Sequence, residues 1–350
     1  MGIAIVIMFV LAATMAFLED RLVEKDKKVV YWTMAAVLVL LAGFREIGID
    51  PDSVNYEYAY HHYDDDRLST AMESSYFVIA EFLNFFSSDA HAILLFYAFF
   101  GLVLKFIAFR RLSEFWFAPV VVYLSFFYEL HECTQIRTAI MSGLFMLAIP
   151  CMADKQRLKA LILIALGCVF HISALVLLPF LFLSNKELTR KQQMFWLAII
   201  PCAYVIYVMG SALLVNIPIP YIENKLTSYQ DNVNTLDVAV NVFSPLQMFT
   251  TMLFVYLLYF QDTIIKHNRY YPLMMKIFSL SLFAYVAFAF LPVLSQRVSY
   301  LFRIVTIILF TNIYYTIRPK WMGLLVVVLI SFIYLNYALP YIGFYLLWGG

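Results

Sequence analysis

Four arginines stand at or inside the ends of apolar segments, where a permanent positive charge is costly. Arg137 is the fourth residue of the run TQIRTAIMSGLFMLAIPC, which is otherwise apolar enough to cross a membrane. A guanidinium in such a run costs about 3 kcal/mol or more, and deprotonation cannot relieve it. Arg45, Arg297 and Arg303 raise the same question in other segments. Gathered on one side of a membrane, the four predict a pocket for a doubly charged anion.

The chain offers two residues that could take up a proton, and each also has a structural explanation. His171 lies near an apolar turn, where a neutral imidazole can accept a proton from a hydroxyl or simply form a packing hydrogen bond. Glu73 precedes a short apolar segment, so it could act as a base or sugar ligand, or only favour a helix N-terminus. Arg137 has a structural alternative too, since Glu132 or Glu129 could pair with it.

Further polar residues could bind sugar or metal. Asp50 and Asp52 form a DxD pair, which can hold a divalent ion on a diphosphate in glycosyltransferases but also fits a turn around Pro51. Gln135 belongs to a polar helical stripe that could be a binding surface or only join helices by hydrogen bonds. Lys105, near the end of another apolar run, is interpreted as an ordinary inner-edge charge.

A second charged cluster lies closer to the C-terminus. On a helix, Arg297, Tyr300 and Arg303 fan over about 120° of one side. Two cations with an aromatic ring between them could hold phosphate or stack against a sugar. Arg297 alone could instead anchor the helix at the outer interface of the membrane.

Composition assigns the chain to the polytopic all-α membrane proteins. Of its 350 residues, 63% are hydrophobic and only 13% are charged, whereas soluble domains carry roughly 25% charged residues. The net charge of +1 and the lack of a basic tail give no indication of nucleic-acid binding. Positive charges follow the first apolar run, Ile3 to Leu18, which predicts a membrane anchor with its N-terminus outside. The four cysteines show no metal-ligand spacing, and no soluble-enzyme motif occurs.

The distribution of Lys and Arg predicts how the chain crosses the membrane. One apolar run, residues 160–183, carries basic residues at both ends. If this run enters and returns near His171, 18 of the 24 basic residues lie inside, whereas a single crossing leaves only 13 inside. The positive-inside rule therefore favours a re-entrant helical hairpin, buried among other helices.

The resulting prediction is a single transmembrane domain, residues 1–350, with about ten transmembrane helices and the re-entrant hairpin 160–183. Residues 76–86 are too short to cross a hydrocarbon core of about 30 Å, so they are predicted to form a short interfacial helix. Loops 45–75 and 216–244 are predicted to be extracytoplasmic, and the four arginines lie on the same side.

Several short motifs occur together in this chain. They are Phe44-Arg45 with Gly48, Asp50 and Tyr56, then Glu73, Gln135-Ile136-Arg137, Phe170-His171-Ile172-Ser173-Ala174-Leu175 with Pro179, and Arg297 with Tyr300. The set resembles the EpsG-type branch of bacterial polysaccharide polymerases, the Wzy-like proteins. The resemblance covers most of residues 40–305, and its most specific motif is the one around His171.

The resemblance implies a GT-C-like fold and a membrane glycosyltransferase in the bacterial inner membrane, with its active site facing the periplasm. Such an enzyme polymerises repeat units carried on undecaprenyl diphosphate, with inversion at the anomeric carbon and lipid diphosphate as leaving group. The implied base is His171 or Glu73, the implied diphosphate ligands are Arg137, Arg297, Arg303 and Arg45, and the implied sugar ligands are Asp50, Asp52, Tyr56, Tyr300 and Gln135. Fixed arginines could replace a metal ion, so neither a metal nor another cofactor is expected.

Two other functions fit parts of the pattern. A polysaccharide or lipid-linked oligosaccharide transporter, or flippase, would also place charges in spans, although such proteins often show repeated halves that this chain lacks. A membrane acyltransferase that modifies a glycan could use a histidine base. The expected partners are the lipid-linked glycan as donor and acceptor, the bilayer and a chain-length co-polymerase. The choice between O-antigen, lipopolysaccharide, capsule and exopolysaccharide pathways stays open.

Overall fold

The protein is helical wherever the structure describes it. The computed structural model describes residues 1–50, 52–65, 72–214 and 240–344, and none of them forms a strand. Most of the predicted loop 216–244 and part of loop 45–75 lie outside the described residues. The all-α prediction is confirmed for the part that is described, and the GT-C-like arrangement remains a prediction.

Fifteen α-helices follow one another along the described residues. In chain order they are α1 (Gly2–Leu18), α2 (Glu24–Gly43), α3 (Ser53–His61), α4 (Ser74–Asn84), α5 (His91–Leu112), α6 (Ala118–Leu124), α7 (Ile136–Ala153), α8 (Arg157–Phe170), α9 (Arg190–Leu214), α10 (Pro245–Tyr259), α11 (Gln261–Ile264), α12 (Tyr271–Ala287), α13 (Pro292–Arg303), α14 (Thr306–Thr311) and α15 (Lys320–Ala338). Four 3-10 segments (Glu19–Arg21, Ile172–Phe182, Asn312–Thr316 and Leu339–Ile342) and a π-helix (Tyr128–Thr134) accompany them.

Contacts between helices divide the chain into two compact units. Unit 1 comprises Met1–Phe182 and Phe310–Gly350, and unit 2 comprises Leu183–Leu309. Helices α1 to α8 and α15 therefore belong to unit 1, and α9 to α13 belong to unit 2. The single transmembrane domain predicted for residues 1–350 stays a prediction.

Within the described residues, five helices are long and apolar enough to cross a membrane, which indicates a multi-pass membrane protein. They are Gly2–Arg21, His91–Leu112, Ile136–Ala153, Arg190–Met209 and Lys320–Ala338. Helix α13 and the helical segment after it are bent by 48° and make a sixth if counted as one span. Helices α10 and α12, with 15 and 17 residues, reach only about 22 and 26 Å. The predicted count of ten spans therefore stays unconfirmed.

One predicted span is not a single helix. The apolar run 115–130 contains only α6, after which the Ser125 hydroxyl donates to the Val122 carbonyl at 2.6 Å. The chain then continues as the π-helix Tyr128–Thr134. This segment carries buried polar side chains such as Glu132, which need hydrogen-bond partners inside the protein. A π-helix, which is wider than an α-helix, therefore stands where hydropathy predicted part of a regular span.

The predicted turn at His171 is confirmed. Helix α8 ends at Phe170, His171 is extended (φ −155°, ψ 118°), and the 3-10 segment Ile172–Phe182 packs back along α8. The Arg157 guanidinium, at the start of α8, lies 5.4 Å from the centre of the Phe182 ring, so the two ends of the hairpin meet. The 14-residue and 11-residue arms match because each spans about 21–22 Å at its own helical rise. Insertion of the hairpin into the membrane remains a prediction.

The short helix predicted at residues 76–86 is present as α4. Its inner side buries Tyr76 and Ala80, whereas Phe82 and Phe85 on the other side are 62% and 84% exposed. This division between an apolar exposed side and a packed side suits a helix at a membrane interface. The interfacial position itself remains a prediction.

Helices α5 and α7 approach closely because small residues face each other where they pack. A Cβ atom added to Gly101 would lie 2.6 Å from Oε2 of Glu132 and 2.9 Å from Cβ of Ala139. A Cβ atom added to Gly143 would lie 2.8 Å from Cβ of Leu104. Close packing through small residues is a common way for helices to associate in membranes.

The Gly101→Ala variant tests this packing. The added methyl group has no room, so we expect a loss of about 1–3 kcal/mol of stability and a lower melting temperature in detergent. Gly167→Ala is the matched control, because its new Cβ would meet Ala174 at an ordinary 3.4 Å. Equal melting temperatures for the two variants would contradict the proposed packing.

Reporter fusions test the topology of the hairpin. If the segment 160–183 returns to the side from which it enters, fusions after residues 112 and 188 both report the cytoplasm. A fusion after residue 88 should report the exterior. Opposite sides for residues 112 and 188 would show that the segment crosses the membrane.

Candidate active site

The carboxylate of Glu73 binds two other residues of the predicted site, His171 and Arg137. Glu73, the N-cap residue of α4, accepts a hydrogen bond through Oε1 from Nδ1 of His171 at 2.5 Å and from the backbone N–H of Ile172 at 3.1 Å. Its Oε2 accepts a hydrogen bond from Nη1 of Arg137. A cation and an imidazole from distant parts of unit 1 therefore meet on the same acid.

The surrounding elements fix this arrangement. Arg137 is in the first turn of α7, and His171 is at the tip of the hairpin, whose first arm packs against α7. The Ser75 hydroxyl, next to Glu73, donates to the Val169 carbonyl at 2.5 Å and ties the start of α4 to the end of α8. Folding of the helices alone thus brings the three side chains together.

The electrostatics divide the roles of Glu73 and His171. Burial raises the pKa of the Glu73 carboxyl, but the hydrogen bond from His171 and the charge of Arg137 outweigh it and lower the pKa to about 2. Glu73 is therefore ionised at neutral pH and is a poor proton acceptor. Since a carboxylate can only accept hydrogen bonds, Nδ1 of His171 is the donor to Glu73, so Nε2 is the ring nitrogen available to accept a proton. Nε2 lies 3.4 Å from the Ser173 hydroxyl.

Tyr56 is a second neighbour of Arg137. Its buried phenol forms a side-chain hydrogen bond with the guanidinium, and burial raises the pKa of Tyr56 to about 12 despite that positive charge. The Tyr76 hydroxyl donates to the Tyr56 carbonyl at 2.6 Å, and the two rings stack 6.0 Å apart. Arg137 is thus held from two sides, while 17% of its side chain stays exposed.

Arg45 and Asp50 contact each other below the surface. Nε of Arg45 donates to Oδ2 of Asp50 at 3.0 Å, and Nη1 donates to the Ala42 carbonyl at 2.8 Å. Oδ1 of Asp50 accepts from the backbone N–H groups of Ser53 and Asp52, at the start of α3. Both side chains are fully buried, so they hold the loop to α2. Among the described residues, no group of three or more His, Cys, Asp or Glu is arranged to hold a metal.

The other two arginines of the predicted site, Arg297 and Arg303, lie in unit 2 and have different surroundings. Arg303 is 4% exposed, and its Nη2 donates to Oε1 of Gln247 at 2.9 Å. The rings of Tyr285 and Tyr300 lie 5.4 and 5.5 Å from its guanidinium carbon. Arg297, on the same helix, is exposed. Among the described residues, no carboxylate forms an ion pair with either arginine.

Sequence reasoning misjudged Lys105 and Glu132 and missed Gln247, and all three are buried. Lys105 is fully buried and pairs with Glu132, so its interpretation as an inner-edge charge was wrong, and Glu132 serves Lys105 rather than Arg137. Gln247 was not considered, although a glutamine in an apolar helix is a usable signal. Gln135, at the N-cap of α7, marks the junction of the π-helix with the helix that carries Arg137.

Comparison with known proteins identifies the family. The sequence matches the model of the EpsG family over residues 28–347. The chain belongs to the EpsG family. This is a Wzy-like family of the polysaccharide-polymerase type, so the resemblance seen in the motifs is confirmed. No curated protein and no solved structure matches the chain.

The ion pair and the hydrogen bonds of Glu73 predict how the stability of this EpsG-family protein depends on pH. A carboxyl whose pKa is lowered by folding stabilises the native state above its ordinary value of 4.5, and this contribution is lost as the pH falls towards 2. We expect Glu73→Gln to lose about 1–3 kcal/mol at pH 7, because the three hydrogen bonds that the carboxylate accepts lose its charge. The loss should shrink progressively below pH 4.5 in thermal melts of the detergent-solubilised protein.

Glu81→Gln is the control for this measurement. Glu81 is an exposed carboxylate on the same helix, α4, so its replacement should leave the melting temperature unchanged at every pH. The assignment of Glu73 as the central acceptor fails if Glu73→Gln loses the same stability at pH 3 as at pH 7.

Proposed function

We propose that this EpsG-family protein polymerises oligosaccharide repeat units linked to undecaprenyl diphosphate, at the periplasmic face of the bacterial inner membrane. The main support for this proposal is that Arg137 and His171 both form hydrogen bonds with the Glu73 carboxylate. Glycosyl transfer from a lipid diphosphate needs a base for the acceptor hydroxyl and a cation for the leaving group, and one cluster supplies both. The family supports a polysaccharide polymerase-like membrane protein.

In the proposed reaction, His171 is the base. Its Nε2 takes the proton of the acceptor hydroxyl while that oxygen forms a bond to the anomeric carbon of the donor. The bond from this carbon to the diphosphate breaks on the opposite face, which inverts the configuration. Glu73 holds the imidazole by Nδ1 and stabilises the imidazolium that forms, so the two former candidates for the base have separate roles.

The departing diphosphate needs positive charge in a fixed position. Arg137 uses Nη1 for Glu73, and a guanidinium has five N–H donors in a planar fork, so donors remain for a phosphate oxygen. In unit 2, Arg303 is buried beside neutral Gln247 and Arg297 on the same helix is exposed; a phosphate-binding role for either remains a proposal from the sequence alone. We assign Arg45 to holding the loop, because its ion pair with Asp50 is closed to solvent.

The sugar ligands remain proposals of the same kind. Asp52 is the N-cap residue of α3, and Tyr56 contacts Arg137, so both belong to the segment that leads to Glu73. Gln135 lies two residues before Arg137, and Tyr300 lies beside Arg303. Asp50 supports the same segment from below rather than facing a substrate.

A flippase is the main competing function. Transport requires charged contacts but no imidazole oriented by a carboxylate, so the His171–Glu73 pair favours chemistry. A membrane acyltransferase could use such a base, but its donor carries less phosphate charge for the arginines. The purified protein should lengthen glycans from lipid-linked repeat units without nucleotide sugar. A flippase would only move labelled lipid between leaflets.

Substitution of the cation and the base tests the proposal. In a deletion strain that expresses each variant, Arg137→Ala should abolish long polysaccharide, because the leaving group loses its cation. His171→Gln keeps a polar side chain of similar size but removes the basic nitrogen, and turnover should fall about 10²–10⁴-fold. Glycan length is measured on gel ladders, and insertion is verified by the amount of protein in membranes.

Arg111→Gln is the matched control, because Arg111 is an exposed arginine at the end of α5. It should give a normal ladder. Full-length product from Arg137→Ala would contradict the assignment of the cation. Near-normal turnover in His171→Gln would contradict the assignment of His171 as the base.

A further inference from the structure

A buried charged network lies below the candidate site in unit 1. Nζ of Lys105, on α5, donates to Oε1 of Glu132 at 2.5 Å and to the Ala139 carbonyl at 2.8 Å. The Tyr123 hydroxyl donates to the same oxygen of Glu132 at 2.6 Å. The side chains of Lys105, Glu132 and Tyr123 are fully buried, so none of them touches a substrate.

The network spans the joint that carries Arg137. Glu132 is in the π-helix Tyr128–Thr134, and Ala139 is in the first turn of α7. Between them, Gln135 leaves helical geometry (φ −96°, ψ 63°). The Lys105 ammonium group therefore binds residues on both sides of the break between the π-helix and α7.

Packing alone does not require a charged pair here. Two buried charges lose their hydration, and replacing such a pair by apolar side chains of similar volume is often neutral or stabilising. What apolar groups lack is direction, because a hydrogen bond fixes an angle and a distance that packing leaves free. The direction imposed here is that of the first turn of α7.

We propose that Lys105, Glu132 and Tyr123 are positioning residues for Arg137. They fix the start of α7 so that the guanidinium meets Glu73 and keeps donors for the diphosphate. The inference rests on the proposed function of Arg137. It adds three residues, none in contact with substrate, on which the efficiency of the reaction depends.

The test replaces the pair by apolar residues, with Lys105→Met and Glu132→Leu combined in the full-length protein. The double variant should be inserted and melt close to the wild type, since both charges are removed together and only the Tyr123 hydroxyl loses its side-chain acceptor. Its turnover with lipid-linked repeat units in isolated membranes should fall about 10–100-fold, because a small misplacement of a catalytic group is costly. The loss should appear in kcat more than in KM.

A second background separates positioning from general damage. Arg137→Lys keeps the positive charge but replaces the planar guanidinium by a single ammonium. Turnover should then depend less on the exact orientation of this side chain. There, the same double variant should lose less than about 2-fold, because residues that act through one group are not additive. Equal fold losses in both backgrounds, or wild-type turnover in the double variant, would overturn the inference.

Tyr123→Phe keeps the test decisive if the double variant does not fold. It removes one hydroxyl, and we expect about a 3-fold loss of turnover with Arg137 and no loss with Arg137→Lys. Tyr31→Phe is its control, since this buried tyrosine also donates one hydrogen bond, to the Phe106 carbonyl at 2.7 Å, and should leave turnover unchanged. A Tyr123→Phe variant with wild-type turnover would overturn the inference. Full turnover in Arg137→Ala would instead refute the proposed function.

Discussion

The arrangement of unit 1 depends on the Glu73 carboxylate and the charges that it must satisfy. An ionised acid that is mostly buried needs several donors, and this one takes them from the start of α7, from an imidazole and from the backbone of the hairpin tip. Removing the acid would leave the Arg137 guanidinium without its carboxylate partner in an apolar setting. The same ion pair that stabilises the fold therefore also orients the groups proposed for chemistry.

Other charges in unit 1 follow the same constraint with different outcomes. Lys105 and Glu132 neutralise each other in the interior, and Arg45 and Asp50 do so beneath the loop. These pairs are closed to solvent, whereas the Arg137–Glu73 pair is partly open. Accessibility, more than charge, distinguishes the pair that can meet a ligand from the pairs that hold elements together.

The sequence predicted the features that depend on local chemistry. The bend at His171 followed from basic residues at both ends of one apolar run, and the short helix after Glu73 followed from its length. The structural alternative for Arg137 was a nearby partner, Glu132 or Glu129. Its carboxylate partner instead lies 64 residues away, because the packing of α4 against α8, and of α8 against α7, brings it there. Hydropathy also could not predict the π-helix, because this segment contains Glu132, whose ion-pair partner Lys105 lies on another helix.

The tip of the hairpin has an entropic consequence. Nδ1 of His171 and the backbone N–H of the next residue share one acceptor oxygen, so the ring and the main chain cannot tilt independently. The rotational freedom that an imidazole would otherwise keep, about 1 kcal/mol, is lost when the protein folds. In the proposed reaction, binding of a flexible glycan would then have to order only the glycan, because the nitrogen proposed as the proton acceptor is in place before the substrate arrives.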